Sequence, residues 1–304
     1  MAGLAADRAA RGLILLLAAT GLGACRESRP AAAPLTVMSF HLDGYFPDDR
    51  SGDGQVSDPK PEPEIQAVVE TVLVERPDVL ALQGIGDAGQ LADLEQRLRA
   101  RGWSYPYREH RPAAEGREHL AVLSRFPLRV VRAGEGETYR VAGEEVPFRR
   151  GILEFDVSLA GGIAMRCLLV HLKSRTYDPR GQTEMRRNEA RLLRQRIRRA
   201  WEETGGGLLL VAGSLSDHPR SAAVRLVVDG RQPELHDLRP VDGWGASWTC
   251  SYPGEDRYER YDYLLVSGAL ARTVCRERTR LVRAPDGLPE LRRRPLIAAF
   301  HLPR

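Results

Sequence analysis

Lysine is nearly missing from this chain. Only Lys60 and Lys173 occur among 45 basic residues, which leaves 43 arginines. The bias does not make a nucleic-acid surface, because 41 acidic residues are interleaved and the formal net charge is only +4. Cysteine is scarce as well: residues 25, 167, 250 and 275 lack the paired spacing of a structural zinc site. No apolar run reaches the ~20 residues needed to cross a bilayer. No internal repeat is present. Gly205, Gly206 and Gly207 have no Lys-Ser/Thr after them and read as a turn, not a phosphate loop. Ser214 and Ser216 lack a GxSxG setting, which leaves a serine hydrolase improvised from Ser214 and His171 without support.

What is present begins with a processing signal. Arg8 and Arg11 precede an apolar run at 13–22, which ends in Leu22-Gly23-Ala24-Cys25. Small residues directly before a cysteine resemble a bacterial lipobox. The expected order is therefore a signal peptide at 1–24, lipidated Cys25, an Ala/Pro-rich tether at 25–34, and one domain at 35–304. Such a protein sits in the bacterial cell envelope, held to a membrane and facing periplasm or exterior. Export permits disulfides, and Cys250 with Cys275 is the favoured pair because Cys167 falls in a predicted core strand.

Strand and helix signals alternate. Helices are expected at 64–75, 88–100, 186–199 and 221–229. Strands are expected at 35–42, 78–83, 119–124, 128–133, 151–159, 163–171, 208–213, 247–251, 261–267, 272–282 and 296–301. Met185, Leu192, Leu193, Ile197, Ala200 and Trp201 recur at helical spacing, so the arginines between them are expected on a solvated face. Continuous apolar strands flanked by helices imply sheets covered on both faces. At 49–56 the alternating oxygens look like the start of a calcium loop, but Lys60 stands where the closing carboxylate belongs, so an exposed loop is expected.

Six segments carry a resemblance in their order: VMSFHLDG (37–44), VLALQGIGD (79–87), VHLKS (170–174), VAGSLSDHP (211–219), RYDYLLVS (260–267) and RRPLIAAF (293–300). Together they resemble the endonuclease/exonuclease/phosphatase superfamily of DNase I-like nucleases and phosphatases. The resemblance implies an α/β fold, a four-layered α/β/β/α sandwich of two mainly antiparallel or mixed sheets flanked by helices. It also implies Mg²⁺ on hard oxygen ligands and phosphoester hydrolysis.

Position by position, the framework is kept and the chemistry is not. Asp43, His171 and Asp262 match retained polar positions. His41 replaces the first-motif Asn, Gly84 the metal-binding Glu, Ser214 and Ser216 the water-activating Asp and its Asn, and Arg292 and Arg293 the terminal Asp-His. Three carboxylates are lost and a cation gained, so Mg²⁺ is expected to be lost, with no cofactor and no metal-ligating set. Arg293 is expected to pair with Asp262, to join His41, His171 and Arg292 in an anion pocket for a phosphate-bearing ligand, or to do both. The reading is a pseudoenzyme with a binding or scaffolding role toward an unspecified protein partner. The alternatives are a rearranged metal hydrolase using Asp43, His171, Asp217 and Asp262, or a metal-free anion-binding module.

Overall fold

Period-two alternation along the strands explains why two sheets face each other. The computed structural model describes residues 33–132 and 136–303. In β1 (Leu35–Tyr45), Leu35 and Val37 enter a layer shared with the second sheet, while Met38, Phe40 and Leu42 face helices. The chain continues through α1 (Glu62–Glu75), β2 (Val79–Ile85), α2 (Ala88–Ala100), β3 (Tyr107–Arg111), β4 (His119–Ser124) and β5 (Leu128–Arg132). A hairpin of β6 (Thr138–Val141) and β7 (Glu144–Pro147) leads to β8 (Ile152–Ser158), β9 (Ala164–His171), α3 (Gln182–Glu203) and β10 (Leu209–Ser214). Then come α4 (Ala222–Val228), β11 (Leu235–Asp237), and the hairpin β12 (Cys250–Tyr252) and β13 (Arg257–Glu259). The last elements are β14 (Asp262–Ser267), α5 (Gly268–Ala271), β15 (Arg280–Leu281) and β16 (Leu296–Phe300).

One sheet has the order β15-β16-β1-β2-β4-β3, the other β11-β14-β10-β9-β8-β5. In each, the central pair is parallel (β1 with β2, β9 with β10) and the other neighbours are antiparallel. Between the sheets, Val37, Ala81 and Val122 meet Phe155, Leu169 and Leu264. Val68, Val72 and Leu94 of α1 and α2 cover the outside of the first sheet, and Leu193, Ile197 and Val224 of α3 and α4 cover the second. These are the expected α/β/β/α layers.

Local chemistry sets the helix starts. Asp87 accepts from the Gly89 and Gln90 N–H groups while the Gln90 side chain returns to the Asp87 N–H, a capping box that opens α2. Pro61 precedes α1, which begins two residues before the expected 64. The strand expected at 272–282 is the clearest miss: Thr279 Oγ1 turns back to the Cys275 carbonyl at 2.9 Å, so the segment meets β16 only at an isolated bridge from Val274 to Phe300 and at the two-residue strand Arg280–Leu281. The short polar strands β3, β6, β7, β11 and β13 escaped the periodicity.

The α3 arginines are not uniformly solvated. Arg186 is buried against Asp217 at 2.7 Å, and Arg194 donates to the Pro233 carbonyl at 2.7 Å, because both lie where α3 meets α4 and its flanking loops. Cys167, Cys250 and Cys275 are all free, so the favoured disulfide does not form. Cys250 bridges to Arg293 and the Cys275 N–H donates to the Ala299 carbonyl, six residues farther along an extended segment. That separation is roughly 20 Å, beyond the reach of an S–S bond. The 49–56 loop is exposed and folds onto itself: Asp58 accepts from the Arg50 and Ser51 N–H groups. Among the described residues no helix is long and apolar enough to cross a membrane. Cys25 and the signal at 1–24 lie outside the described residues.

Candidate functional site

Along several strands the apolar inter-sheet face gives way to polar side chains at the same edge. Leu35 and Val37 of β1 are followed at equal parity by Ser39 and His41, Val79 and Ala81 of β2 by Gln83, Cys167 and Leu169 of β9 by His171, and Leu210 and Ala212 of β10 by Ser214. The parallel pairing of β1 with β2 and of β9 with β10 aligns these C-terminal ends. Antiparallel β4 and β14 bring their N-terminal ends, with Glu118 and Asp262, to the same edge. His41 stands in register with Gln83, and Ser214 with both His171 and Asp262.

His41 fills the room left at Gly84. The glycine sits at φ +70° in a bulge between Gln83 and Ile85, and an added Cβ would touch His41 Cε1 at 3.4 Å and Nδ1 at 3.7 Å. A glutamate here would have to hold a left-handed backbone that side-chain-bearing residues rarely adopt. Gly84→Glu alone is expected to destabilise by about 1–2 kcal/mol through the left-handed backbone and to leave hydrolysis at background. Thermal melts and a phosphodiester assay with Mg²⁺ check both, and restored turnover would refute the argument.

The His41 and His171 rings meet edge to face, with centroids 4.7 Å apart. Burial lowers the pKa of both well below the usual imidazole range. Arg293, Arg150 and Lys60 add to the effect at His41; Arg150, His41 and Arg293 do so at His171. Both rings are therefore neutral near pH 7. The Asp43 N–H donates to His41 Nδ1 at 3.1 Å, which places the ring proton on Nε2.

Arg293 stands between the two retained carboxylates. Its Nη1 is 3.8 Å from Asp262 Oδ2 and its Nε 3.9 Å from Asp43 Oδ1, so the expected pairing with Asp262 is present without a direct hydrogen bond. Burial pushes the Asp262 carboxyl up despite Arg293; at the Arg293 guanidinium burial is the largest single influence and lowers it, but Asp262, Cys250, Asp43 and Tyr252 together raise it. Arg292 departs from expectation: its side chain is 58% exposed and reaches only Asp43, at 3.7 Å. The neighbouring Arg294 is the buried one, 2.6 Å from Asp242 and stacked over Trp248, and nothing in the run of three arginines marks it out.

The serines close on the scaffold. Ser216 donates to the Leu172 carbonyl at 2.9 Å, Ser214 lies 3.4 Å from Ser216, and His171 Nδ1 has no partner, so no Ser–His dyad exists. Asp217 is held by Arg186, which removes it from a rearranged metal set.

Two contributors were missed in the sequence. Arg150 is buried, donates to Glu118, and is pushed down to about 10 by burial, with Glu189 opposing and Arg293 adding. Glu118, His41 and His171 each offer a ligand atom, all within 4.8 Å of one another, so a metal-sized group of donors exists where none was expected. The only advance signal for Glu118 is its parity with Leu120 and Val122. A cavity of about 110 Å³ opens beside His41, Asp43, Lys60 and Arg293.

The family model described as Endonuclease/Exonuclease/phosphatase family matches residues 53–282. A search of curated proteins finds no match. Among solved structures, truncated Caenorhabditis elegans TDP2 is similar at TM-score 0.59 and 20% identity, over 88% of this chain and 96% of that one. The human Nocturnin catalytic domain with bound sulfate anion gives 0.58 and 17%, over 88% and 94%. Staphylococcus aureus beta toxin gives 0.58 and 13%, over 87% and 99%. At these identities the likeness is one of fold, and it agrees with the two sheets and their helices. With the family model matched over most of its length, the chain belongs to the Endonuclease/Exonuclease/phosphatase family.

Proposed function

We propose that this chain is a non-catalytic member of its family, a bacterial envelope lipoprotein anchored through Cys25 that acts by binding at the cleft. The observation that carries the reading is Arg293: a buried guanidinium of the chain itself sits against Asp43 and Asp262, where hard carboxylates would otherwise face a divalent cation. The residues do not fit Mg²⁺. Gly84, Ser214 and Ser216 supply no carboxylate, and Asp43, Asp262 and Glu118 are each compensated by arginine. Phosphodiester and phosphomonoester hydrolysis with Mg²⁺, Mn²⁺, Ca²⁺ or Zn²⁺ is expected to be indistinguishable from that of His171→Ala. Chelator-sensitive turnover lost in that variant would refute the reading. The same chain is expected in the detergent phase of Triton X-114, and Cys25→Ala in the aqueous phase.

A second reading, a rearranged metal hydrolase, is favoured by the His41–Glu118–His171 trio. Imidazole and carboxylate together suit zinc-like ions better than magnesium. The Zn²⁺ arm of the assay tests it.

A further inference from the structure

We infer that the end of the cleft walled by His41, Arg150, His171 and Arg293 is a metal-free receptor for phosphate that keeps a proton, as orthophosphate or the end of a phosphomonoester. The inference rests on the non-catalytic reading and names the ligand of the same site. His41 Nε2, His171 Nδ1, Arg150 Nε and Arg293 Nη1 are all buried without a hydrogen-bond partner. An unpaired buried polar group costs about 1–3 kcal/mol, and native interiors hold few of them. Here they cluster. The two imidazoles touch, Glu118 links Arg150 to them, and Arg293 shares the cavity wall with His41.

The hydrogen bond at His41 decides between cation and anion. A histidine that ligates a metal donates its other ring N–H to an acceptor. At His41 the other nitrogen, Nδ1, is itself the acceptor, from the Asp43 N–H. Nε2 thus presents hydrogen rather than a lone pair, and a cation meets one blocked nitrogen and a Glu118 carboxylate already held by Arg150. An acceptor ligand meets N–H groups from His41 and two guanidinium groups.

Glu118 supplies selectivity. Its carboxylate lies within 4.8 Å of both imidazole ligand atoms, so an oxyanion bonded to those rings rests against it. A P–OH group donates to that oxygen. Sulfate, fully deprotonated near neutral pH, has no proton to donate and meets the carboxylate oxygen as acceptor against acceptor.

The test is calorimetric titration of the full chain in detergent, with a chelator present. Inorganic phosphate is expected to bind one to one with Kd at or below ~1 mM, and sulfate at least tenfold more weakly. Glycerol phosphate titrated in parallel separates the sources: tighter binding than inorganic phosphate assigns a phosphomonoester end, weaker binding assigns free phosphate, and either upholds the site. His41→Leu should weaken phosphate binding at least tenfold without lowering Tm by more than a few degrees, and His41→Gln, which restores an N–H donor, should recover part of it. No saturation by ~10 mM phosphate in folded protein would overturn the inference. So would sulfate binding as tight as phosphate, or phosphate binding that appears only with added Zn²⁺ and vanishes with chelator. Phosphoester turnover would instead remove the non-catalytic reading, and the titration remains a separate judge of the receptor.

Discussion

Arg293→Ala is expected to destabilise the protein by about 3–5 kcal/mol, because it strands a buried carboxylate. Asp262 is 3% exposed, its two carboxylate oxygens have no hydrogen-bond partner, and Arg293 is its nearest cation. For a domain of this size the loss corresponds to a fall in Tm of roughly 10 °C. The cost should depend on pH in a defined direction. Burial already raises the Asp262 pKa, and removing Arg293 raises it further. An acid with a raised folded pKa is favoured by folding while protonated, so its penalty grows as pH climbs through that value. Urea denaturation should therefore show a smaller loss at pH 5 than at pH 8. Asp262→Asn added to Arg293→Ala should recover much of the loss, because the double change leaves no charge to compensate. An Arg293→Ala protein within 1 kcal/mol of the parent at pH 8 would mean that the guanidinium does not replace the missing cation, and the non-catalytic reading would lose its main support.

The fold was legible because burial repeats along the chain. Strands such as 119–124 and helix 88–100 carry alternating or helical apolar patterns strong enough to fix their limits to the residue. The polar strands β3 and β13, YREHR and RYE, hold their place through backbone pairing with β4 and β12, which leaves no apolar signature. The site was legible only where family motifs named positions. His41, His171, Asp262 and Arg293 do converge. Arg292 does not, because 292–294 run extended against 249–251, where successive side chains point to opposite sides, and Arg293, not Arg292, faces inward. Glu118 and Arg150 belong to no quoted motif; they reach the edge through antiparallel strand pairing and the turn into β8, relations between distant segments that composition and periodicity do not encode. The tautomer of His41 is farther still from the sequence, since it depends on one backbone N–H at Asp43, held at φ +50°.

Glu189→Gln should alter how stability depends on pH by about 3 kcal/mol between pH 5 and pH 8. Glu189 lies on α3, 1% exposed, and accepts from the Lys173 N–H at 2.5 Å and the Tyr139 hydroxyl at 3.2 Å. Burial pushes its carboxyl from 4.5 up to about 7, although the Lys173 N–H and the Arg150 guanidinium work against it. Between those two values the folded chain holds a proton that the unfolded chain has released, so this group's contribution falls as pH rises from about 4.5 to about 7. At 1.36 kcal/mol per pH unit the full change is ~3 kcal/mol. His41 and His171 act in the opposite sense: their depressed pKa values make the folded state resist protonation, so their contribution is lost as pH drops below about 6.5. Neither histidine is touched by the substitution, and the difference between variant and parent isolates Glu189. Glutamine keeps a carbonyl for the Lys173 N–H and turns an amide toward the Tyr139 oxygen, so the packing survives while the titration disappears. Relative to the parent, Glu189→Gln should gain stability steadily from pH 5 to pH 7 and level off above it. A constant difference across that range would show that Glu189 is already ionised at pH 5 in the folded chain. The buried cations at Arg150 and Lys173 would then outweigh burial.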